Sequence, residues 1–335
     1  MPRKRMNIAT IRDVAALAGV AVSTASRALG KGSASPETRR KVREAAEQLH
    51  FTPSATARQL SNGHTRIIAI AIPEETTFIF HDPFIAAVVS QLTVSLSKLG
   101  YLPFLALVDS KDESGFVRLL ESSGAEGMVI TSFRYSKTFV SVIKNFGKPT
   151  IFIGRPPDNL DYPYVDIDNR QGGRLAAGAL LQKGRSKALM IAGPKDMRAP
   201  KERSQGFAEV FAQAGGEIEV DEGRFALQHG YEAMGRHIRS GLDADSVFAQ
   251  SDQIAVGAMQ AMREHGVRCP EDVSIVGFDN LDVANVQPLS LTTVAQPVSD
   301  MAKMATDILT KRIETGVWVT RKKIFEVKLI TRGSV

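Results

Sequence analysis

Residues 10–29, TIRDVAALAGVAVSTASRAL, contain two helical patterns that a single glycine separates. In the first pattern, apolar residues recur every three or four positions from Ile11, and Thr10 before them can cap the helix. Gly19 allows the left-handed backbone of a sharp turn. The second pattern, residues 22–29, has small alanines on its inner face, so the two helices can cross closely. This stretch therefore predicts a helix-turn-helix.

A third helix is predicted directly after these two. Ser35 is a suitable cap and Pro36 a suitable first helical residue, and several basic side chains lie in the turns that follow. Residues 1–66 carry 12 basic and four acidic residues, whereas the rest of the chain carries 30 basic and 32 acidic ones. A positive charge concentrated on a small helical domain favours a polyanionic partner such as DNA, and a merely solvated basic face is the alternative.

Residues 10–29 and 35–60 together resemble the DNA-binding headpiece of the LacI/GalR family of bacterial transcription regulators. The second of these stretches reads SPETRRKVREAAEQLHFTPSATARQL. The resemblance implies that the second helix reads bases in the major groove of double-stranded DNA through Val22 and Ser23, supported by Arg27. The positions that contact phosphates in the family are occupied by Thr10, Thr24 and Ser26.

One position departs from the family pattern. Ala21 stands where the family usually has a serine, at the N-cap of the second helix. We expect the loss of that cap to weaken the helix by about 1 kcal/mol at most.

Residues 53–61, PSATARQLS, form a short helix-prone segment. An isolated helix of this length is marginal in water, where roughly 12–15 residues are needed, so something must pack on it. The resemblance implies that two such segments pair in the minor groove, with Leu60 wedged into a central base step and Ala57 one turn before it. A flexible linker is the alternative.

From residue 66 onward, apolar strand-like runs alternate with helical stretches. The runs form two sets, about 67–166 and 168–290, and near-continuous apolar strands between helices indicate parallel sheets covered on both faces. A last helix and strand, from about Pro297, return the chain across the first lobe. The predicted fold class is α/β: a two-lobed, doubly wound parallel-sheet core, similar to periplasmic binding proteins, preceded by a small all-α helix-turn-helix domain. The family resemblance extends over this core through ERSQGF, SDQIAVGAMQA, VGFDN and LTTVAQP.

The predicted domain boundaries follow from these patterns. The headpiece covers residues 1–52, the hinge segment 53–65, and the effector-binding and dimerisation core 66–335. Within the core, the first lobe comprises about 66–166 and 297–321, and the second about 167–296 and 322–335.

Ligands of open α/β sheets bind beyond the carboxyl ends of the strands. Arg203 begins a helix after one such strand and Asp279 follows another, at positions where the family has an effector-gripping arginine and aspartate. A guanidinium and a carboxylate suit the hydroxyls of a polyol, and in an empty cleft the two could pair with each other. Phe84 and Phe225 fall where aromatic residues line the family's cleft, although Phe84 also suits the core. The further candidates are Ser132, Arg155, Gln296 and Asp252, the last of which suits a helix cap equally well.

Composition excludes several classes of protein. A single cysteine, Cys269, permits no internal disulfide, and the six histidines lack metal-binding spacing. The basic N-terminus is not that of a signal peptide, and no run approaches the roughly 20 apolar residues of a membrane span. We therefore expect a soluble cytoplasmic protein without a membrane partner. Phosphate-loop, dinucleotide-binding, zinc-protease and nucleophile-elbow motifs are absent, so neither a cofactor nor an enzymatic activity is expected.

The resemblance implies a homodimeric transcription regulator, most often a repressor in this family, that binds a pseudopalindromic operator. Its effector is expected to be a small molecule, and a mono- or disaccharide is the first expectation. Four arginines near the expected cleft leave an anionic effector such as a sugar phosphate open: Arg134, Arg155, Arg198 and Arg203. A corepressor mode also stays open. Outside the family, the alternatives are a solute-binding protein and a sugar-modifying enzyme.

Overall fold

The structure, a computed structural model, describes residues 9–30, 32–51, 64–74, 79–107, 113–132, 137–285 and 290–335. The chain divides into two units, Met1–Arg66 and Ile67–Val335. Ala57, Leu60 and Arg134 lie outside the described residues, so the roles expected of them stay predictions.

The described part of the first unit contains the three predicted helices: α1 (Ile11–Leu17), α2 (Val22–Leu29) and α3 (Pro36–Gln48). Thr10 caps α1 and Ser35 caps α3, each through a side-chain oxygen that accepts a backbone N–H. Gly19 adopts φ +65° between α1 and α2, as the turn requires. All three helices contribute small or branched side chains to one core: Val14, Ala15, Ala25, Ala28, Val42, Ala45 and Ala46.

One basic residue of α3 holds the end of α2. The half-buried guanidinium of Arg39 donates to the carbonyl oxygens of Ala28 at 3.1 Å and Gly30 at 3.0 Å, and also to that of Gly32. These carbonyls lie at the C-terminal end of α2, where the helix dipole favours a positive charge. Arg39 therefore stabilises the bundle, and its charge is directed inward rather than toward solvent.

The described part of the second unit contains two six-stranded sheets. The strands of the first sheet are β1 (Ile67–Ile72), β2 (Leu102–Leu107), β3 (Gly127–Ile130), β4 (Thr150–Ile153), β5 (Tyr164–Ile167) and β11 (Lys322–Phe325). They lie in the order β11-β5-β4-β3-β1-β2 and pair in parallel. The helices of this lobe are α4 (Pro83–Lys98), α5 (Glu113–Ser123), α6 (Lys137–Phe146) and α11 (Val298–Thr315).

The strands of the second sheet are β6 (Lys187–Ala192), β7 (Glu217–Glu222), β8 (Ser246–Ala249), β9 (Ser274–Asp279), β10 (Thr292–Ala295) and β12 (Lys328–Ile330). Their order is β12-β10-β9-β8-β6-β7, and β12 pairs antiparallel whereas the other pairs are parallel. The helices of this lobe are α7 (Asn169–Leu181), α8 (Arg198–Gln213), α9 (Leu227–Arg239) and α10 (Asp252–Glu264). A short 3₁₀ turn, Asp282–Asn285, follows β9. The predicted α/β class, with two parallel sheets between helices, is confirmed.

The chain crosses between the sheets near its C-terminal end, and here one predicted boundary is corrected. β11 pairs in parallel with β5, from Lys322 opposite Tyr164 to Phe325 opposite Ile167. Residues 322–325 thus belong to the first lobe, not to the second as expected, and the chain reaches the second sheet only at β12. The sequence KKIF alternates polar and apolar residues, a pattern that suits the edge of either sheet.

Helices α7 and α8 pack closely because glycines lie where their backbones meet. A Cβ at Gly173 would collide with the backbone of Arg203, and one at Gly206 would collide with the backbone of Arg170. The neighbouring Gly172 is similarly closed in by the ring of Phe278. Gly172 and Gly173 are therefore packing residues, and these contacts fix the position of the turn of α8 that carries Arg203.

Candidate functional sites

The outer face of α2 is short and polar. Val22, Ser23 and Arg27 are exposed, whereas Thr24 and Ser26 are half-buried. Val22 is 44% exposed although it is apolar, and the Nε of Arg27 donates to the carbonyl oxygen of Ser23 at 3.3 Å. An exposed methyl group, a hydroxyl and one guanidinium are groups that can meet base edges and phosphates in a DNA groove.

Thr10, which the sequence places at a phosphate contact, also has a structural role. Its hydroxyl donates to Asp13 Oδ2 at 2.7 Å, and its backbone N–H donates to the same oxygen at 2.7 Å. These bonds, together with the Asp13 N–H that Thr10 accepts, form a capping box. They lower the pKa of Asp13 below its usual value. Ala21 provides no such cap at the start of α2.

A cavity that is partly open to solvent lies at the carboxyl ends of the strands of both sheets. Seven of the eight effector-binding candidates line this cleft: Phe84, Ser132, Arg155, Arg203, Phe225, Asp279 and Gln296. They come from both lobes, because Phe84 begins α4 and Arg155 follows β4, whereas Arg203 lies on α8 and Asp279 ends β9.

Arg203 is a buried residue in the lining of the cleft. Its Nε donates to Asn169 Oδ1 at 2.9 Å and its Nη1 to the carbonyl oxygen of Gln250 at 2.7 Å. The guanidinium carbon lies 3.6 Å from the ring centroid of Phe278. These contacts hold the planar guanidinium rigidly, with one edge toward the cleft.

Asp279 lies next to Arg203, with its Oδ1 4.0 Å from Arg203 Nη1. The same oxygen accepts a hydrogen bond from Gln296 Nε2 at 2.6 Å. Burial raises the pKa of Asp279 well above its usual value, and the charge of Arg203 opposes that rise. The backbone of Asp279 has φ +113°, a conformation that a non-glycine residue rarely adopts. Such backbone strain is typical of functional positions.

The eighth candidate, Asp252, does not line the cleft, and its expected role is corrected. It is fully buried in the first turn of α10. Its Oδ2 accepts from the backbone N–H of Leu281 at 2.7 Å, and its Oδ1 accepts from Thr293 Oγ1 at 2.6 Å. Asp252 therefore faces the turn after β9 instead of the cleft, and it stabilises that turn by accepting the hydrogen bond from Leu281.

Two carboxylates that the sequence analysis missed also line the cleft. Asp82 caps α4, with its Oδ1 accepting from the N–H groups of Phe84 at 2.9 Å and Ile85 at 3.4 Å. Asp166, within β5, accepts from the N–H of Arg155 at 2.9 Å and from that of Ile167 at 2.8 Å. Burial raises the pKa of each to about 6.

An ionic cluster joins the two lobes at the rim of the cleft. Arg198, on α8, contacts Asp158 at 2.7 Å and Glu202 at 2.8 Å. Arg155, after β4, lies 3.5 Å from Asp158 and 3.9 Å from Glu202. Two arginines and two carboxylates thus balance one another at this rim.

A helix-turn-helix unit on a two-lobed core of this kind is the architecture of a class of bacterial transcription regulators, and comparisons with known proteins agree. Residues 10–54 match the family described as bacterial regulatory proteins, lacI family, and residues 177–335 match the periplasmic binding protein-like domain. The chain is 33% identical to the HTH-type transcriptional regulator CelR of Thermobifida fusca, over 97% of this chain and 98% of that one. It is 32% identical to the ribose operon repressor of Halalkalibacterium halodurans, over 96% of both chains. The chain belongs to the LacI family of bacterial transcription regulators.

Solved structures show the same architecture. The transcriptional regulator CelR-cellobiose complex matches with a TM-score of 0.75 and 32% identity, over 98% of this chain and 100% of that chain. The Lac repressor dimer bound to operator and the anti-inducer ONPF matches in fold with a TM-score of 0.85, at 22% identity, over 97% of this chain and 98% of that chain. These relatives are regulators rather than enzymes. None of the helices that the structure describes is long and apolar enough to cross a membrane.

Proposed function

We propose that this protein is a homodimeric repressor that binds a pseudopalindromic operator in double-stranded DNA and leaves it when a sugar binds between the lobes of the core. The observation that carries the proposal is the cleft in which a rigid guanidinium, Arg203, and a carboxylate, Asp279, converge beside the ring of Phe225.

The chemistry of these three side chains suits a mono- or disaccharide. A carboxylate accepts hydrogen bonds from sugar hydroxyls, a guanidinium donates to sugar oxygens, and an aromatic face covers the apolar C–H side of the ring. The relative that is 32% identical was solved as a complex with cellobiose, which supports a sugar ligand here and makes cellobiose the first compound to test.

The DNA half of the proposal rests on the headpiece. Val22, Ser23 and Arg27 lie exposed along α2 and would enter the major groove of each half-site, with Thr10, Thr24 and Ser26 directed toward phosphates. The hinge residues Ala57 and Leu60 would bend the operator centre through the minor groove. Sugar binding would change the angle between the lobes and thereby separate the two hinge segments of the dimer.

A thermal-shift screen against sugars, starting with cellobiose and ribose, tests the effector half. A ligand at about 100 times its Kd should add roughly 2.7 kcal/mol to the free energy of unfolding. The Arg203→Lys variant, which keeps the charge but loses the planar fork, should lose this stabilisation. Failure of every sugar to stabilise the wild-type protein would contradict a sugar effector.

A DNA-binding measurement tests the regulatory half. An operator selected from random double-stranded DNA by the purified protein should show two inverted half-sites, and the sugar found in the screen should release it in a fluorescence anisotropy titration. Tighter DNA binding in the presence of the sugar would establish the corepressor mode instead. The Ser23→Ala variant should lose operator affinity while it retains the sugar-induced thermal shift.

A further inference from the structure

We propose that the cleft accepts uncharged sugars and rejects their phosphorylated or carboxylated counterparts, and that Asp82 is the residue that sets this preference. The inference rests on the proposed function, because it concerns the chemical class of ligand that the same cleft binds. It decides between the neutral and the anionic effector that the sequence alone leaves open.

The inner wall of the cleft is acidic. Three carboxylates line it, and each is more than nine-tenths buried: Asp82 at 8% exposed, Asp166 at 6% and Asp279 at 5%. The equally buried cation that faces them is Arg203, at 5% exposed. Asp82 begins the first-lobe helix α4, whereas Asp279 ends the second-lobe strand β9, so carboxylates approach the ligand space from both lobes.

Two carboxylate oxygens at this wall accept no hydrogen bond from the part of the chain that the structure describes, and both can bind a ligand. Both N–H groups that Asp82 accepts go to its Oδ1, and no described residue donates to its Oδ2. Asp279 likewise accepts from Gln296 through Oδ1, and no described residue donates to its Oδ2. Both oxygens can accept hydrogen bonds from hydroxyl groups. Asp82, whose pKa is about 6, is ionised at pH 7.5 and repels a phosphate or a carboxylate there.

The arginines of the cleft do not offset this repulsion. Arg203 is held by Asn169, by the carbonyl oxygen of Gln250 and by stacking on Phe278. Arg155 and Arg198, at the rim, both contact the carboxylates Asp158 and Glu202. The charges of Arg155 and Arg198 are therefore balanced at the rim, and the single charge of Arg203 is shared among the buried carboxylates that line the same cleft.

The test compares matched pairs of ligands by isothermal titration calorimetry at pH 7.5, with the full chain. The probes are cellobiose and its 6-phosphate, and ribose and ribose 5-phosphate. We expect the phosphorylated member of the pair that binds to be at least about 100-fold weaker, which corresponds to about 2.7 kcal/mol. The Asp82→Asn variant keeps the cap oxygen but removes the charge. It should reduce the ratio of the two dissociation constants, phosphorylated to neutral sugar, about tenfold or more.

Asp168→Asn is the matched control, because Asp168 caps α7 in the same way but is exposed and does not line the cleft. It should leave the ratio as in the wild type. A phosphorylated sugar that binds the wild type as tightly as its neutral counterpart would overturn the inference, and this measurement needs no variant. An unchanged ratio in Asp82→Asn would remove Asp82 as its cause. A thermal-shift screen in which no sugar stabilises the wild-type protein would contradict the proposed function itself, and the inference would fail with it.

Discussion

Single residues of the headpiece divide into those that hold the helices together and those that are free to meet DNA. Arg39 belongs to the first group because it donates to the carbonyl groups at the end of α2, although its sequence position suggested a basic surface. Its neighbours Arg40 and Lys41 form exposed pairs with Glu44 and Glu37, which contribute little to stability. The charge surplus of the segment therefore overstates the number of cations that the α3 surface offers to a phosphate backbone.

The N-cap of α2 lacks a side-chain hydrogen-bond acceptor. Ala21 has the extended backbone of an N-cap, with φ −65° and ψ 149°, but supplies no oxygen to the first N–H groups of the helix. Ala21→Ser should therefore stabilise α2 by about 0.5–1 kcal/mol. Hydrogen exchange of the α2 amides measures this, and Ala16→Ser, at an exposed position in the last turn of α1, is the control. Equal protection in the wild type and Ala21→Ser would contradict the prediction.

Asp82 gives a prediction about pH. Burial raises its pKa to about 6, so the folded state favours the protonated carboxyl. The stability that this group contributes is complete below about pH 4 and is lost as the pH rises through about 6. Asp82→Asn does not titrate there, so its free energy of unfolding relative to the wild type should rise by about 2 kcal/mol between pH 4.5 and 7.5.

Urea denaturation of the ligand-free core at both pH values measures this difference. The charged groups Asp166, Arg203 and Asp279 face the same cavity in both proteins, so most of their own titration cancels in the comparison. Asp168→Asn again provides the control for loss of one carboxylate. A difference that does not change with pH would show that Asp82 has an ordinary pKa.

At the scale of elements, the sequence predicts long helices and buried strands well and edge strands poorly. The apolar runs of β1 and β9 locate these strands, because burial on both faces leaves an uninterrupted signal. β7, with the sequence EIEVDE, was not predicted, because an edge strand exposes charged residues and resembles a loop. The placement of β11 was wrong for a related reason, since its alternation is compatible with either sheet.

The residues of the cleft also divide into those that the sequence predicts and those that it does not. Arg203 and Asp279 could be proposed because each follows a strand, and the carboxyl ends of strands are where ligands bind. Asp82 and Asp166 were not predicted, because Asp82 has the sequence pattern of a helix cap and Asp166 lies inside a strand. Only the apposition of the two lobes brings them to the same cavity. Asp252 follows a strand too, but the direction of its side chain depends on the packing of α10 against β9 and β10, which no local pattern contains.

The turn after β9 has an uncommon backbone conformation that two side chains stabilise. Asp279 and Asn280 both have positive φ, at 113° and 58°. Asp252 holds this turn on one side, and Arg332 holds it on the other by donating to Asn280 Oδ1 at 2.6 Å and to the carbonyl oxygen of Leu291 at 2.7 Å. Arg332→Gln should release the turn and weaken binding of the sugar found in the screen roughly tenfold, or about 1.4 kcal/mol.

Calorimetric titration with that sugar measures this effect, and operator affinity without sugar should stay unchanged. Arg321→Gln is the control, because Arg321 pairs with the exposed Asp161 at the edge of the first lobe. Arg332→Lys should restore part of the affinity, since it keeps the charge. A loss of melting temperature without a loss of sugar affinity would assign Arg332 to stability alone.

At the scale of the whole molecule, the cleft and the headpiece belong to different units of the chain, so any control of one by the other must pass through a change that both share. The lobes offer such a change, because the cleft is lined from both sheets and the rim cluster of Asp158, Arg198, Glu202 and Arg155 joins them. Under the proposed function, a sugar that binds both walls would favour one angle between the lobes and so one arrangement of the hinge segments.

This coupling must be reciprocal, which gives the last prediction. If the sugar weakens operator binding by a given factor, saturating operator must weaken sugar binding by the same factor, expected between about 5- and 150-fold for a coupling of 1–3 kcal/mol. Calorimetric titration of the sugar into the free protein and into the operator complex measures one factor, and anisotropy titration of operator with and without sugar measures the other. DNA with scrambled half-sites is the control. A sugar affinity that operator leaves unchanged would mean that the cleft binds sugar without controlling the headpiece, because a ligand can shift an equilibrium only through a difference in its affinity for the two states.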